Sequence, residues 1–93
     1  MREIDRTTRF RRDYKRESKG RHRSDLEAGL KVIIIRLMSD EPLAERYRDL
    51  PLTGKWAGFR DCHVKPDLVL IYEKPDDATL RLVRLGSHSE LGW

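Results

Sequence analysis

A chain of 93 residues with 38% hydrophobic and 39% charged side chains has room for one domain, residues 1–93, and one modest core; its apolar residues are clustered, which excludes a disordered chain. The longest apolar run, Val32-Ile33-Ile34-Ile35, is far shorter than the roughly 20 residues that span a bilayer. The charged start from Arg2 lacks a signal-peptide pattern, and the single Cys62 excludes an internal disulfide and a cysteine-built zinc site, so the expectation is a cytoplasmic protein with no membrane contact. The net charge of +4 is unevenly placed: residues 1–23 hold ten basic and four acidic side chains, so this segment carries +6 and the remainder −2. Such a basic cluster attracts polyanions, although a solvated helix face is the commoner origin of such charge. Arginine outnumbers lysine there, which favours phosphate contacts, since the guanidinium fork matches phosphate oxygens.

Residues 2–6 alternate weakly and predict a short first strand. Thr7 or Thr8 offers a side-chain oxygen to cap the helix that follows. Phe10, Tyr14 and Glu17 share one face of that helix, and Gly20 is its stop signal. Ser24-Asp25-Leu26-Glu27 has capping-box spacing and predicts the start of a second helix, with Leu26, Leu30, Ile33, Ile34 and Leu37 as its apolar stripe. The β-branched run at residues 32–35 competes for a strand, but the periodic segment is too long for one. Glu41-Pro42 ends the helix, and residues 41–55 read as an irregular link.

Beyond the link the composition changes. Residues 56–64, 68–72 and 79–85 read as strands, separated by turns at Lys65-Pro66-Asp67 and Pro75-Asp76-Asp77. Hairpin-linked neighbours pair antiparallel. The order β-α-α-β-β-β predicts an α+β fold, with two N-terminal helices packed on one face of a four-stranded, mainly antiparallel sheet. The opposite face would then be left open as a floor for a ligand.

No phosphate-binding glycine loop, dinucleotide-binding glycine pattern, nucleophile elbow or paired-histidine zinc helix is present. What remains is a set of polar residues near strand ends: Asp61, His63, Asp67, Arg81, Arg84, Ser87 and His88. Alternation puts Phe59, Asp61 and His63 on one face, opposite Arg60, Cys62 and Val64. A tight turn holds His63 near Asp67, and His88 follows the last strand towards the same sheet end. Two histidines near arginines suit RNA cleavage without a metal. One group removes the 2′-OH proton, another protonates the leaving 5′-oxygen, and a guanidinium stabilises the phosphate charge. From pattern alone a structural histidine is the commoner outcome. His63, Asp67 and His88 also offer part of a metal site, ranked lower because no two of them have helical i, i+4 spacing. His22 reads as solvated, Cys62 as a small core residue, and Trp56, Phe59 and Tyr72 as packing residues.

The run Glu45-Arg46-Tyr47-Arg48-Asp49-Leu50-Pro51-Leu52-Thr53-Gly54-Lys55-Trp56-Ala57-Gly58-Phe59-Arg60-Asp61-Cys62-His63-Val64-Lys65-Pro66-Asp67-Leu68-Val69-Leu70-Ile71-Tyr72, with the tail Arg84-Leu85-Gly86-Ser87-His88-Ser89-Glu90-Leu91, closely resembles the YafQ-type toxins of the RelE/ParE superfamily. The resemblance covers nearly all of the second half, and the first half agrees in element order and basic character. It implies a RelE/ParE-like fold and a toxin of a type II toxin–antitoxin system. The implied activity is a ribosome-dependent, metal-independent endoribonuclease that cleaves mRNA by 2′-OH attack and needs no cofactor. The implied partners are the ribosome, mRNA and a cognate antitoxin. By position, His63, Asp67 and His88 fall on the family's active site. His88 is then the general acid, while His63 and Asp67 handle the 2′-OH proton or orient the phosphate. Arg60, Arg81 and Arg84 are looser candidates for RNA contact, and alternation takes Arg60 off the face of His63.

Two departures stand out. The family commonly has a histidine where this chain has Leu50, which cannot transfer a proton or hold a phosphate. A slower enzyme, reliance on His63 alone, and an inactivated variant all stay open. The family also places an aromatic residue directly after the tail leucine; here Gly92 stands there, and Trp93, one residue later, is the candidate for that RNA-packing role. Two other readings remain: a ParE-type toxin directed at DNA gyrase, and an RNA- or ribosome-binding module without catalysis.

Overall fold

The computed structural model describes residues 1–92; Trp93, a candidate RNA contact, lies outside the described residues. The strands are β1 Glu3–Arg6, β2 Leu50–Pro51, β3 Arg60–Lys65, β4 Leu68–Glu73 and β5 Thr79–Gly86, arranged in the order β1-β5-β4-β3-β2. β1 runs parallel to β5, and the other pairings are antiparallel. Helices α1 Thr8–Glu17 and α2 Leu26–Met38 pack on one face, and the single turn α3 His88–Leu91 follows β5.

Local chemistry sets these bounds. Thr7 caps α1: its Oγ1 accepts the Phe10 N–H at 3.0 Å and donates to the Val83 carbonyl at 2.8 Å, tying the helix start to β5. The helix ends at Glu17, short of Gly20, where the Ser18 hydroxyl donates back to the Lys15 carbonyl at 2.7 Å. The capping box expected at Ser24 does not form. Asp25 is the N-cap of α2 and makes no capping bond; its carboxylate accepts Lys65 Nζ at 2.6 Å, linking α2 to the end of β3. Leu26, Leu30, Ile33 and Leu37 are buried as a stripe, with Ile34 packed beside them, so the β-branched run is helical.

Three expectations change. Residues 54–56 form a 3-10 turn, Gly58 takes a positive φ of 95°, and β3 begins only at Arg60. A fifth strand, β2, pairs Leu50 with Asp61 and Pro51 with Arg60. Pro51 hides it in the sequence, yet a residue without an N–H is tolerated at a sheet edge. Nor is the second sheet face an open floor. Val69 and Ile71 are fully buried beneath Leu52, Trp56, Phe59, Val83 and Leu91, with the Trp56 and Phe59 rings edge to face at 5.4 Å. β4 is apolar on both sides and needs cover on both.

The main core joins Phe10 and the α2 stripe to Cys62, Leu68, Leu70, Tyr72, Leu80, Leu82 and Leu85. One acid is buried in it. Asp13 of α1 accepts Arg84 Nε at 2.7 Å, Arg16 Nη1 at 3.0 Å and the Leu85 backbone N–H at 3.0 Å. β1 covers β5 only as far as Leu82, and Asp13 satisfies the Leu85 amide beyond the end of β1. Burial alone would raise the carboxyl's pKa, but Arg84, the Leu85 amide and Arg16 outweigh it and hold it below the usual carboxylate range.

A histidine pair at the end of the sheet forms a candidate active site

The β3–β4 register sets His63 opposite Val69, and the β4–β5 register sets Val69 opposite Gly86, two residues before His88. The two histidines therefore meet at one sheet end. His63 Nε2 lies 3.3 Å from His88 Nε2, with ring centroids 5.3 Å apart. The other His88 nitrogen, Nδ1, lies 3.0 Å from Asp67 Oδ1, and the His88 backbone N–H reaches the same oxygen at 3.4 Å. Arg21 Nη2 stands 3.5 Å from Asp67 Oδ2. The hydrogen bond from the His88 ring holds the Asp67 carboxyl below its usual range, aided by the His88 N–H. Asp67, His88 and His63 thus form a string. Only one of the facing Nε2 atoms can carry a proton towards the other, because a hydrogen bond needs a lone pair on the second. His63 Nδ1 is buried without a hydrogen-bond partner among the described residues, so His63 can exchange a proton only through Nε2.

The tail residues hold His88 in place. Ser87 caps α3, its Oγ accepting the Glu90 N–H at 3.2 Å while its own N–H donates to Glu90 Oε1 at 2.8 Å. The capping box sought at Ser24 occurs here instead. Arg16 crosses from α1 to the Leu85 carbonyl at 2.9 Å and to Glu90 Oε2 at 2.9 Å. Gly86 leaves room for it: a Cβ there would stand 2.9 Å from Arg16 Nη2 and 3.2 Å from Glu90 Oε1.

Asp61 shares the His63 face and is half-buried; burial raises its pKa against the opposing field of His63. Leu50 stands directly opposite Asp61, with 58% of its surface exposed. β2 covers β3 only at Arg60 and Asp61, which leaves an edge beyond. There a cleft of about 800 Å³ is lined by His63, His88, Val32, Arg46, Tyr47, Arg48 and Lys65, among others.

The three looser arginine candidates are not brought to this cleft. Arg60 pairs with Asp49 at 3.1 Å, Arg81 with Asp5 at 2.7 Å and Glu73 at 3.3 Å, and Arg84 with Asp13 at 2.7 Å. Cys62 is fully buried and burial pushes its thiol up, as suits a core residue rather than a nucleophile. Among the described residues no three histidine, cysteine or carboxylate groups gather to hold a metal. Sequence reasoning missed Arg46 and Arg48. Charge counting drew attention to residues 1–23, whereas these two stand in the link and reach the cleft only once it folds over α2.

The model of the YafQ toxin family, bacterial toxins of type II toxin–antitoxin systems, matches residues 2–92. The mRNA interferase toxin YafQ of Escherichia coli strain B / BL21-DE3 is 41% identical over 92 residues, covering 98% of this chain and 96% of that protein. The crystal structure of YafQ from E. coli BL21(DE3) superposes with a TM-score of 0.85 at 35% identity, covering 100% of both chains. The E. coli DinJ–YafQ complex gives 0.84 at 36% identity, again over 100% of both chains. A copper-bound mutant toxin from Helicobacter pylori gives 0.85 at 38% identity, covering 98% of this chain and 99% of that one. On the strength of a match along almost its whole length, in sequence and in fold, the chain belongs to the YafQ family of type II toxin–antitoxin toxins.

Proposed function

We propose that this toxin is an mRNA interferase: a ribosome-dependent endoribonuclease that cleaves mRNA by attack of the 2′-hydroxyl and uses no metal in the chemical step. The observation that carries the reading is the string Asp67–His88–His63, with two imidazole Nε2 atoms 3.3 Å apart at the mouth of a cationic cleft. The 2′-oxygen bonds to phosphorus as its proton passes to a base, and the bond to the 5′-oxygen breaks as that oxygen takes a proton from an acid. The products are a 2′,3′-cyclic phosphate and a 5′-hydroxyl. His88 is the general acid: Asp67 orients its ring and stabilises the imidazolium that donates the proton. His63 is the base and works through Nε2, its one accessible nitrogen. A substrate phosphate would bridge the two Nε2 atoms and take the place of their mutual hydrogen bond.

The test is purified toxin on ribosomes programmed with a defined message, the toxin first treated with chelator and desalted. Cuts at one codon position, lost in His88→Ala, are expected. No cuts from the wild type or from Leu50→His would sink the nuclease reading. Leu50 favours a second reading, a ribosome- or RNA-binding module that is catalytically silent; it predicts binding without cuts even after Leu50→His.

The antitoxin is the second partner. The relative solved with DinJ supports a cognate inhibitor here. Its docking ground is the groove between α1 and α2, about 600 Å³, floored by Phe10, Ile34 and Leu82 and edged by Arg6, Arg11 and Lys31. An acidic amphipathic segment complements that surface. Arg11→Glu should weaken antitoxin binding and flatten its salt dependence; unchanged affinity would exclude this face.

A further inference from the structure

The cleft has a wall that the catalytic string does not use. The 3-10 turn Glu45–Tyr47 ends on Arg48, whose φ of 48° and ψ of 57° are left-handed. That conformation suits glycine or asparagine; a long side chain held there is uncommon and clusters at functional sites. Asp49 pins the position. Its carboxylate accepts from Arg60 Nε at 3.1 Å and from the Tyr72 hydroxyl, and its carbonyl accepts Arg60 Nη2 at 3.2 Å. The acid adjacent to Arg48 is therefore already engaged.

Beyond residue 23 the chain has six arginines. Arg36, Arg60, Arg81 and Arg84 each have a carboxylate partner. Arg46 and Arg48 have no carboxylate partner among the described residues, and both line the cleft that holds His63 and His88. The Arg46 guanidinium lies over the Tyr47 ring, 4.9 Å from its centroid, with Nη2 3.0 Å from the Tyr47 hydroxyl. The outer face of that guanidinium is a flat cationic plate of the kind on which RNA bases stack. Val32 of α2 lines the same cleft and is 52% exposed, an apolar contact within reach of a ligand there. A volume of about 800 Å³ lies within the range of about 300–1,000 Å³ typical of ligand pockets.

We propose that Arg46, Tyr47 and Arg48 form a single-stranded RNA subsite beside the histidine pair, in which Arg48 contacts a backbone phosphate flanking the scissile one and the Arg46 plate and Val32 pack a neighbouring base. Guanidinium groups without a carboxylate partner suit phosphate, and the Arg46 plate with an apolar Val32 in the same cleft suits a nucleobase better than an acidic peptide. The position relative to the scissile phosphate rests on the nuclease reading; the binding of RNA does not.

The experiment titrates wild-type toxin with a short single-stranded RNA carrying 2′-O-methyl groups, which 2′-OH attack cannot cleave, across salt concentrations. Arg48→Gly, Arg46→Ala and Lys74→Ala are measured beside it, each with a thermal melt. Lys74 pairs with Asp40, at the far end of β4, at 2.7 Å, and serves as the charge-matched control. Arg48→Gly should lose about five- to tenfold in affinity, and its log K against log salt slope should be shallower by about 0.7, one phosphate's worth on a single strand. Its melting temperature should not fall, because glycine accepts φ near +48° without strain. Arg46→Ala should lose affinity with a smaller change of slope, and Lys74→Ala should stay within about twofold of wild type. Arg48→Gly with wild-type affinity and slope would overturn the subsite, leaving an acidic polypeptide as the ligand of that wall. RNA binding that is lost in Arg48→Gly, with no message cut by the wild type or by Leu50→His, would keep the subsite and remove the nuclease reading. A wild type that binds no RNA would remove the subsite and leave the nuclease reading to the cleavage assay on programmed ribosomes.

Discussion

Leu50 and Asp13 are the two single residues whose replacement reads out most of the chemistry and the stability. Leu50 stands opposite Asp61 and is 58% exposed, so a histidine there would enter without disturbing a core and would add a third imidazole beside Asp61 and His63. Leu50→His should raise the rate of message cleavage by roughly 10²-fold, within the range that general acid–base groups supply. An unchanged rate would mean that His63 already performs the whole task. Asp13 carries four contacts from a nearly dry position. Asp13→Ala leaves Arg84 buried without its partner and should cost about 3–5 kcal/mol in a urea unfolding series. A cost below about 1 kcal/mol would show that Arg84 finds water instead.

The residues of the string were legible for a physical reason: a turn of two residues and a strand end leave few places for His63, Asp67 and His88 to be. Arg48 was not legible, because its significance lies in what it lacks. A cation without a counter-charge is visible only after the acids have found their partners. Asp13 was hidden by the same logic reversed. In an arginine-rich helix an aspartate reads as solvated, and only the Leu85 amide beyond the end of β1, from which it accepts a hydrogen bond, shows why it is buried. Arg60, Arg81 and Arg84 drew attention by lying on strands, where pairing partners are close, and that closeness is what engages them elsewhere.

Among the elements, α3 is the most consequential for its length. One turn of helix stands on a capping box and on Arg16 from α1, and it carries His88. Gly86→Ala places a methyl against Arg16 Nη2 and the Glu90 side chain, so one of them must move. The expected result is a cut of about tenfold or more in kcat with the fold retained, since a misplaced acid loses more than a misplaced surface contact. Wild-type kcat in Gly86→Ala would show that Arg16 swings aside without moving α3. The helices and the central strands could be read from periodicity, because burial on one stripe or on two faces leaves a pattern of period 3.6 or an unbroken apolar run. The two-residue strand β2 could not, since its pairing is decided by the reach of the link and not by any repeat. The capping-box spacing occurred twice, and local sequence did not separate the copies. At Ser24 the neighbouring Asp25 becomes the N-cap and bonds Lys65; at Ser87 the box forms through Glu90 Oε1 while Arg16 takes the other oxygen, Oε2.

For the molecule as a whole, charge governs both stability and partners. The Asp13 carboxyl is held below its ordinary value in the folded state, so its contribution is present above the unfolded pKa of about 3.9 and is lost as pH falls through the folded value. Stability to urea should therefore be level near neutrality and decline below about pH 4, and Asp13→Asn should flatten that decline. A wild-type acid limb that survives Asp13→Asn would assign it to other carboxylates. The uneven placement of charge, +6 on residues 1–23 and −2 on the rest, gives the two partners different ground. On the proposed function, an inhibitor lies along α1 and α2, while RNA enters from the edge of β3 towards α3.

The central claim is that the message supplies its own nucleophile and that the paired histidines move the protons. It is tested most directly with a defined message, bound to programmed ribosomes, that carries a single 2′-deoxy nucleotide immediately 5′ to the cut position. Wild-type toxin, or Leu50→His if the natural rate is low, should cut the all-ribose message to a 5′-hydroxyl end and leave the deoxy message intact. Cleavage of the deoxy message at the same position would contradict 2′-hydroxyl attack and require water as the nucleophile.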